Sequence, residues 1–299
     1  MEMAAPSWSK IPVRPVLILG RHVYTAILFT WTDIKTIFLP VMIFAFATVP
    51  INSLWSFIQC CFWTWIHLLL CNVSNQSRSR QEDALNHPWR PLPNGRVTEQ
   101  QAVLLRYACI IGCMLLSATY SLTMLGITAS LVVITILYDD LGLAGHCLGK
   151  SLCNIGGYTA FELGATKMIA GNGHELGDVT SQALAISSLV IFTTIHAQDF
   201  ADVDGDLAIG RTTLPIYAPQ LSRVAILVLP CTWSMFVGWF WGVGPGTYAA
   251  LVSIGSYVGL QFYLFRNVDA DKKSYRQFNV WLLLIHLMPL HYRTSVFRF

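Results

Sequence analysis

The sequence has 299 residues, of which 54% are apolar and only 12% are charged. Soluble domains carry about 25% charged residues, so this composition excludes an ordinary soluble protein. The net charge is only +3 and the 19 basic residues are dispersed along the chain, which excludes a nucleic-acid-binding protein.

Apolar runs of membrane-spanning length recur along the whole chain. A transmembrane helix needs about 20 residues. The runs predict nine spans, at 36–51, 53–71, 101–119, 121–138, 151–170, 179–197, 223–241, 248–264 and 277–291. The apolar run at 15–32 has charged residues at its ends, and we predict an interfacial helix that leads into the first span. The sequence therefore predicts one all-α integral membrane domain over 1–299, a bundle of about nine transmembrane helices, with 1–35 cytosolic or interfacial.

Basic residues are unequally divided between the two sides of such a bundle. Only Lys167, Arg293 and Arg298 fall on one side. The other 16 of the 19 basic residues lie in the segments 1–35, 72–106, 139–150, 198–223 and 265–276. The positive-inside rule places the basic side in the cytosol. We expect a protein of the endoplasmic reticulum membrane whose long polar connections face the cytosol.

The first long polar segment follows the second predicted span. Five of its polar residues have the spacing i, i+4, i+7, i+8 and i+11, namely Asn75, Ser79, Glu82, Asp83 and Asn86. If the helix continues to Asn86, they share one face. Pro88 then ends the helix, because the residue before a proline is pushed out of the α region. A solvated connection is an equally good interpretation of this segment taken alone.

The second polar segment follows the sixth predicted span. Asp199, Asp202 and Asp206 are spaced i, i+3 and i+7 and share a helical face. Three carboxylates on one face repel one another, so a cation should compensate them. Hard oxygen ligands suit Mg²⁺. The plainer alternative is an ordinary acidic loop.

Both segments meet the same membrane face in the predicted topology. We predict that the metal ligands are Glu82, Asp83, Asp199, Asp202 and Asp206. The candidates for direct phosphate contacts are Lys35, Arg90, Lys150 and Arg211, although Lys35 and Lys150 could simply be positive-inside residues. A ligand with an anionic head and a hydrocarbon tail fits this site above an apolar bundle, and a prenyl diphosphate has that form.

The two segments also resemble a known family. Asp83-Ala-Leu-Asn86-His-Pro-Trp-Arg90-Pro and Asp199-Phe-Ala-Asp202-Val-Asp204-Gly-Asp206 resemble the signatures of the UbiA superfamily of intramembrane prenyltransferases. The family has a carboxylate where this sequence has Ser79. The changed first motif, with its Glu82-Asp83 pair, resembles the fungal UbiA-type terpene cyclases. The resemblance implies that Asn75, Ser79 and Asn86 lie beside the substrate.

The resemblance implies a membrane-bound terpene cyclase. Such an enzyme ionises a prenyl diphosphate, here of C15 or C20 length, with Mg²⁺ and cyclises the carbocation, releasing diphosphate. One alternative is an aromatic prenyltransferase, in which an aromatic acceptor captures the cation. Another is a non-enzymatic lipid-binding or carrier relative, which the loss of a carboxylate at Ser79 makes conceivable.

Ionisable and aromatic residues inside the predicted spans are further candidates. Glu162 and His67 are ionisable residues, which are energetically costly inside a membrane. Glu162 is a candidate catalytic base, and a helix–helix hydrogen bond is an equally good interpretation. Aromatic side chains could stabilise carbocations. The candidates on the second and seventh spans are Trp55, Phe62, Trp63, Trp65, Trp233, Phe236, Trp239, Phe240 and Trp241. For Trp239 and Trp241, an interfacial belt is the alternative.

Overall fold

The computed structural model describes residues 13–171 and 176–299. Within these ranges the regular secondary structure is helical, and there is no β-strand. The longer helices are α1 (Val13–Thr30), α2 (Leu39–Thr48), α3 (Leu54–Arg78), α5 (Glu99–Tyr120), α6 (Leu122–Asp139), α7 (Cys147–Ala170), α8 (Asp178–Thr194), α11 (Pro219–Phe240), α12 (Pro245–Leu264) and α13 (Val268–Leu287). The short ones are α4 (Arg80–Asn86), α9 (Val203–Ala208), α10 (Leu214–Tyr217) and α14 (Pro289–Thr294).

Side-chain caps fix where several of these helices begin. The Ser53 side chain accepts a hydrogen bond from the Ser56 backbone N–H at the start of α3, and Ser56 caps Ser53 in return. Thr98 and Gln101 form the same reciprocal capping box at the start of α5. Each box satisfies backbone N–H groups that have no partner within the helix. Each cap thereby fixes the residue at which its helix begins.

Every predicted span coincides with a helix. Fewer than nine of these helices, however, are long and apolar enough to cross a membrane. In the part of the chain that the structure describes, five helical stretches meet both criteria, namely α3, α5, α6, α8 with the turn that follows it, and α11. Residues 17–30 and 34–48 meet them only as a pair bent by 60°. The count of nine spans is therefore not confirmed. In α7, for example, Lys150 and Glu162 lower the hydropathy, and both are buried inside the bundle.

A π-helical turn, Ile34–Phe38, joins α1 to α2. The Leu39 N–H donates to the Ile34 carbonyl across five residues, which widens the helix locally. The Tyr158 hydroxyl of α7 donates to the Thr36 carbonyl. Exposed apolar side chains such as Leu17 and Leu19 cover α1, as expected of a helix in contact with lipid. Its predicted interfacial position stays a prediction.

Glycines allow the closest helix contacts in the bundle. A Cβ atom on Gly164 of α7 would lie 2.2 Å from the indole ring of Trp63, which is fully buried on α3. On α12, a Cβ on Gly255 would lie 2.5 Å from the Pro230 carbonyl oxygen and one on Gly259 would lie 2.3 Å from that of Leu227. The missing side chains let α12 pack directly on the backbone of α11, as small residues do in membrane helix pairs.

Candidate active site

A cavity of about 1470 Å³ opens where α3 and α6 end and α7 begins. Nine of the predicted site residues line it, namely Lys35, Asn75, Glu82, Asn86, Arg90, Lys150, Asp199, Asp202 and Arg211. Its deeper wall is mainly apolar and includes Leu68, Leu131 and Phe161. The cavity therefore joins a charged mouth to a hydrocarbon-like interior.

Arg211 joins the two polar segments. Its guanidinium Nη1 lies 2.5 Å from Glu82 Oε2 in the first segment and 3.4 Å from Asp206 Oδ1 in the second. The helices that carry them, α4 and α9, also touch: a Cβ on Gly205 would lie 2.2 Å from Asn86 Nδ2. The absence of a side chain at Gly205 therefore permits the two segments to meet.

Lys150 supplies a second cation from α7. Its ammonium Nζ donates to Asp199 Oδ1 at 2.6 Å, and both side chains are at most 10% exposed. Lys150 is buried near the start of α7 and has a specific partner, so a general excess of basic residues in exposed loops does not account for its position. Each polar segment thus has at least one carboxylate that faces the cavity and is bound by a basic side chain.

Three predicted site residues lie just behind the cavity wall instead of lining it. Asp83 is buried and accepts a hydrogen bond from Arg90 Nη1 at 2.5 Å. Asp206 is also buried, behind Arg211. The Ser79 hydroxyl donates to the Asn75 carbonyl at 3.0 Å and so is turned back along the helix. The cause is a break between α3 and α4 at Ser79, which interrupts the continuous helical face assumed from spacing.

The carboxylates fit a divalent metal by their chemistry. Asp83 Oδ2 and Asp206 Oδ2 are buried and accept no hydrogen bond within the described residues, so each retains an oxygen for another cation. Over 13–171 and 176–299, no three acidic, His or Cys side chains are already grouped as a metal site. Arginine and lysine hold these carboxylates, and we expect the side chains to rearrange when a metal binds.

Burial changes the protonation of the acidic residues at the mouth. It raises the pKa of Glu82 to about 7 despite the nearby Arg211, and that of Asp202 to about 6 despite Lys150. It also raises the pKa of Asp83 above the ordinary range. Loss of water around a carboxylate disfavours its charged form. A divalent cation bound among these carboxyl groups would favour their deprotonated, charged forms, which burial disfavours.

The aromatic side chains in the cavity differ from those predicted. The lining contains Tyr24, Trp31, Trp89, Tyr138, Tyr158, Phe161 and Tyr275, and none of the nine candidates from the second and seventh spans. Trp63 is fully buried and stacks on His67 at 4.0 Å, while Trp55 and Trp239 are 65% and 71% exposed. The apolar runs contain aromatic residues on every side of each helix, and hydropathy does not distinguish a lipid-facing ring from a cavity-facing one.

Other charged residues also line the cavity, and the two polar motifs did not predict them. Asp139 ends α6, and Lys272 and Arg276 lie one turn apart at the start of α13. Polar residues at the ends of predicted spans were the available signal. These residues lie outside the two long polar loops, in the short connection after α6 and in the charged turn that begins α13, so loop length does not single them out.

Glu162 and His67 make helix–helix contacts. Ser187 Oγ of α8 donates to Glu162 Oε1 at 2.6 Å, and His286 Nε2 of α13 lies 3.5 Å from the same oxygen. His67 Nδ1 lies 2.7 Å from the Trp63 carbonyl and must donate to it, so Nε2 accepts from the Thr128 hydroxyl of α6 at 2.9 Å. Glu162 is fully buried and does not line the cavity. Its catalytic role stays a prediction that this geometry does not support.

Comparison with known proteins places these features in a family context. A family model described as the UbiA prenyltransferase family matches residues 36–283. The chain is 30% identical over 284 residues to fumagillin beta-trans-bergamotene synthase of Aspergillus fumigatus, covering 92% of this chain and 96% of that protein. It is 27% identical over 237 residues to a diterpene cyclase of Hericium erinaceus, covering 77% of this chain and 76% of that protein.

A solved structure shares the fold. The structure of a UbiA homolog from Archaeoglobus fulgidus bound to GPP and Mg²⁺ matches with a TM-score of 0.60 at 11% identity. The match covers 89% of this chain and 99% of that chain. At this identity the likeness establishes the architecture, while the chemistry must come from the residues themselves.

Proposed function

The chain belongs to the UbiA prenyltransferase family, and from that premise we propose that it is a membrane-bound terpene cyclase acting on a prenyl diphosphate. Two of its relatives are named as a bergamotene synthase and a diterpene cyclase, which supports cyclisation over transfer to an aromatic acceptor. A single observation carries most of the proposal: one cavity combines a mouth of paired acidic and basic groups with an apolar interior.

The mouth of the cavity suits the diphosphate group. Glu82, Asp199 and Asp202 would hold Mg²⁺, with Asp83 and Asp206 immediately behind them. Bound Mg²⁺ would neutralise the negative charge that collects on the diphosphate as it leaves. Arg211 and Lys150 would bind its remaining oxygens, since a guanidinium fork and an ammonium both recognise phosphate. A metal bound to the carboxylates would free these two basic side chains for that contact.

The interior suits the hydrocarbon chain. When the carbon–oxygen bond breaks, its electron pair leaves with diphosphate and an allylic cation remains, which an internal double bond can attack. Tyr158 and Phe161 line this part of the cavity, and each ring face can stabilise a nearby cation by about 0.5–2 kcal/mol. Transfer of a proton from the cyclised cation to the released diphosphate completes the reaction.

A defined set of incubations tests the proposal. Purified protein in detergent is incubated with Mg²⁺ and each of the C10, C15 and C20 diphosphates, and both hydrocarbon products and free diphosphate are measured. We expect a cyclic hydrocarbon and one equivalent of diphosphate from the C15 or C20 substrate. Turnover that requires 4-hydroxybenzoate would identify an aromatic prenyltransferase, and binding without diphosphate release would identify a carrier.

The protein is an integral membrane protein, and we propose that its substrate enters from the lipid bilayer while the charged mouth faces the cytosol. The distribution of basic residues supports this orientation, because 16 of 19 fall in the segments that the topology predicted from the sequence assigns to the same side as the two polar segments. We further propose that this membrane is that of the endoplasmic reticulum.

A further inference from the structure

Two consecutive aspartates at the end of α6 face opposite surroundings. Asp140 binds Arg78, with Nη2 and Oδ1 2.6 Å apart, and also binds the buried Arg106 of α5. Asp139 lines the cavity. The arginines therefore secure the end of α6 from outside, and this leaves the neighbouring carboxylate directed toward the site.

Asp139 accepts hydrogen bonds from neutral groups of α3. Ser74 Oγ donates to Asp139 Oδ2 at 2.6 Å, and Asn75 Nδ2 donates to Asp139 Oδ1 at 3.0 Å. Among the ion pairs of the described residues, Asp139 takes part in none, whereas Glu82 pairs with Arg211 and Asp199 pairs with Lys150. Asp139 thus brings to the cavity a carboxyl group that no basic side chain within 13–171 and 176–299 contacts directly.

The hydrogen bond to Asp139 determines which end of the Asn75 amide is available. Asn75 lines the cavity, and its Nδ2 is engaged with Asp139. The oxygen Oδ1 is then the atom that can contact a metal or a metal-bound water. Hard cations accept amide oxygens readily as ligands. Residues that hydrogen-bond to a metal ligand, as Asp139 would to Asn75, commonly fix the orientation of that ligand in metal sites.

The position of Asp139 is also relevant to Ser79, the residue at which the first polar segment differs from the family motif. Ser79 carries no charge, and its hydroxyl is turned back onto the Asn75 carbonyl. The first segment therefore presents Glu82 and Asn75 to the cavity with one carboxylate fewer than the family pattern. Asp139 reaches the side chain of Asn75 from a different helix and restores a negative charge at that position.

We propose that Asp139 is a positioning residue that orients the Asn75 amide toward the metal and supplies, from α6, the negative charge that Ser79 does not. The inference rests on the proposed function insofar as it presumes a Mg²⁺–diphosphate site. Asp139 acts through Asn75, and its effect should appear in metal affinity before it appears in the identity of the product.

The test measures Mg²⁺ binding directly, without turnover. Purified full-length protein in detergent is titrated with Mg²⁺ in the presence of inorganic diphosphate, and the heat of binding is recorded. We expect Asp139→Asn to weaken Mg²⁺ binding about 10- to 100-fold, as loss of an outer partner of a metal ligand does. Asp204→Asn is the control, since it removes a carboxylate of the same charge that is exposed and does not line the cavity, and it should leave the affinity unchanged. Equal weakening by both variants, or none by Asp139→Asn, overturns the proposal.

A double-mutant cycle distinguishes positioning from general structural support. If Asp139 acts through Asn75, then Asp139→Asn should cause no further loss of Mg²⁺ affinity once Asn75→Ala is present. Additive losses would refute the role. Should Asp139→Asn fail to accumulate, Ser74→Ala removes the Oδ2 partner while keeping the charge. We expect Ser74→Ala to cause a smaller loss that also disappears with Asn75→Ala, and an additive loss would again refute the role.

The same titration separates this proposal from the proposed function. A wild-type protein that binds Mg²⁺ with diphosphate but converts no prenyl diphosphate would refute the cyclase assignment and leave the Asp139 comparison intact. An active cyclase whose Mg²⁺ affinity does not respond to Asp139→Asn would refute the positioning role alone. A wild-type protein that binds no Mg²⁺ would overturn both.

Discussion

Asp202 and Asp204 are separated by one residue, yet only Asp202 lines the cavity, while Asp204 is exposed. Asp202→Asn should lower kcat on the order of 100- to 1000-fold, as loss of one charge-stabilising group in an active site does. Asp204→Asn removes the same charge outside the cavity and should retain wild-type activity. The measurement is diphosphate release at saturating Mg²⁺. Equal activity of the two variants would show that Asp202 has no role in the active site.

The buried pair of Lys150 and Asp199 should matter for stability as well. Lys150→Met leaves the Asp199 carboxylate without its hydrogen-bonded cation, and breaking a buried ion pair costs about 3–5 kcal/mol. We therefore expect a lower melting temperature in detergent. Lys150→Arg keeps the charge and should lose less. A melting temperature of Lys150→Met equal to that of the wild type would show that the pair contributes nothing to folding.

Sequence spacing predicted which polar segments meet but not the direction of each side chain. Glu82 and Asn75 line the cavity as expected, whereas their neighbours Asp83 and Ser79 do not. The reason is local: α3 ends at Arg78 and α4 begins at Arg80, so the helical register is reset between them. Asp139 could not be identified by spacing, because its relation to Asn75 depends on how α3 packs against α6.

The contact between α4 and α9 depends on a single missing side chain. Gly205→Ala would place a Cβ atom 2.2 Å from Asn86 Nδ2, so either the Asn86 side chain must leave its place in the cavity wall or the two helices must separate. A displacement of about 1 Å at a catalytic centre can reduce the rate about 100-fold, and we expect a loss of that order with the protein still folded. Diphosphate release is the measurement.

A glycine elsewhere provides the control for that substitution. Gly126 lies within α6, and a Cβ atom there would meet nothing within 4 Å. Gly126→Ala should therefore leave activity at the wild-type level. If Gly205→Ala were as active as Gly126→Ala, the contact of α4 with α9 would not hold the two polar segments together.

Hydropathy located the long helices well because burial in lipid imposes a simple requirement on composition. Every predicted run coincides with a helix. The short helices α4, α9 and α10 were not predicted as separate elements, since each has only four to seven residues and forms through contacts with distant parts of the chain. The bend of 60° between α1 and the helix after it could not be predicted from the sequence either, because apolar composition does not encode an angle.

At the scale of the whole molecule, charge distribution predicts orientation. An N-glycosylation site inserted at Asn94, in the loop after α4, should stay unmodified, and one added after Phe299 should be glycosylated. These outcomes follow from the excess of basic residues on the side of the charged mouth. The measurement is a mobility shift that is reversed by a glycosidase. A modified site at Asn94 would invert the orientation and place the mouth in the lumen.

The π-helical turn at Ile34–Phe38 holds one more residue than an α-helical turn of the same pitch would need. Deleting one residue there would let the chain close into a regular α-helix and rotate everything before it by about 100° around the axis. Trp31 and Asp33, which now line the cavity, would turn away from it. Such a deletion variant should fold and insert normally but leave one wall of the cavity open to water, so that diversion of product toward hydrolysed prenyl alcohol would reveal it.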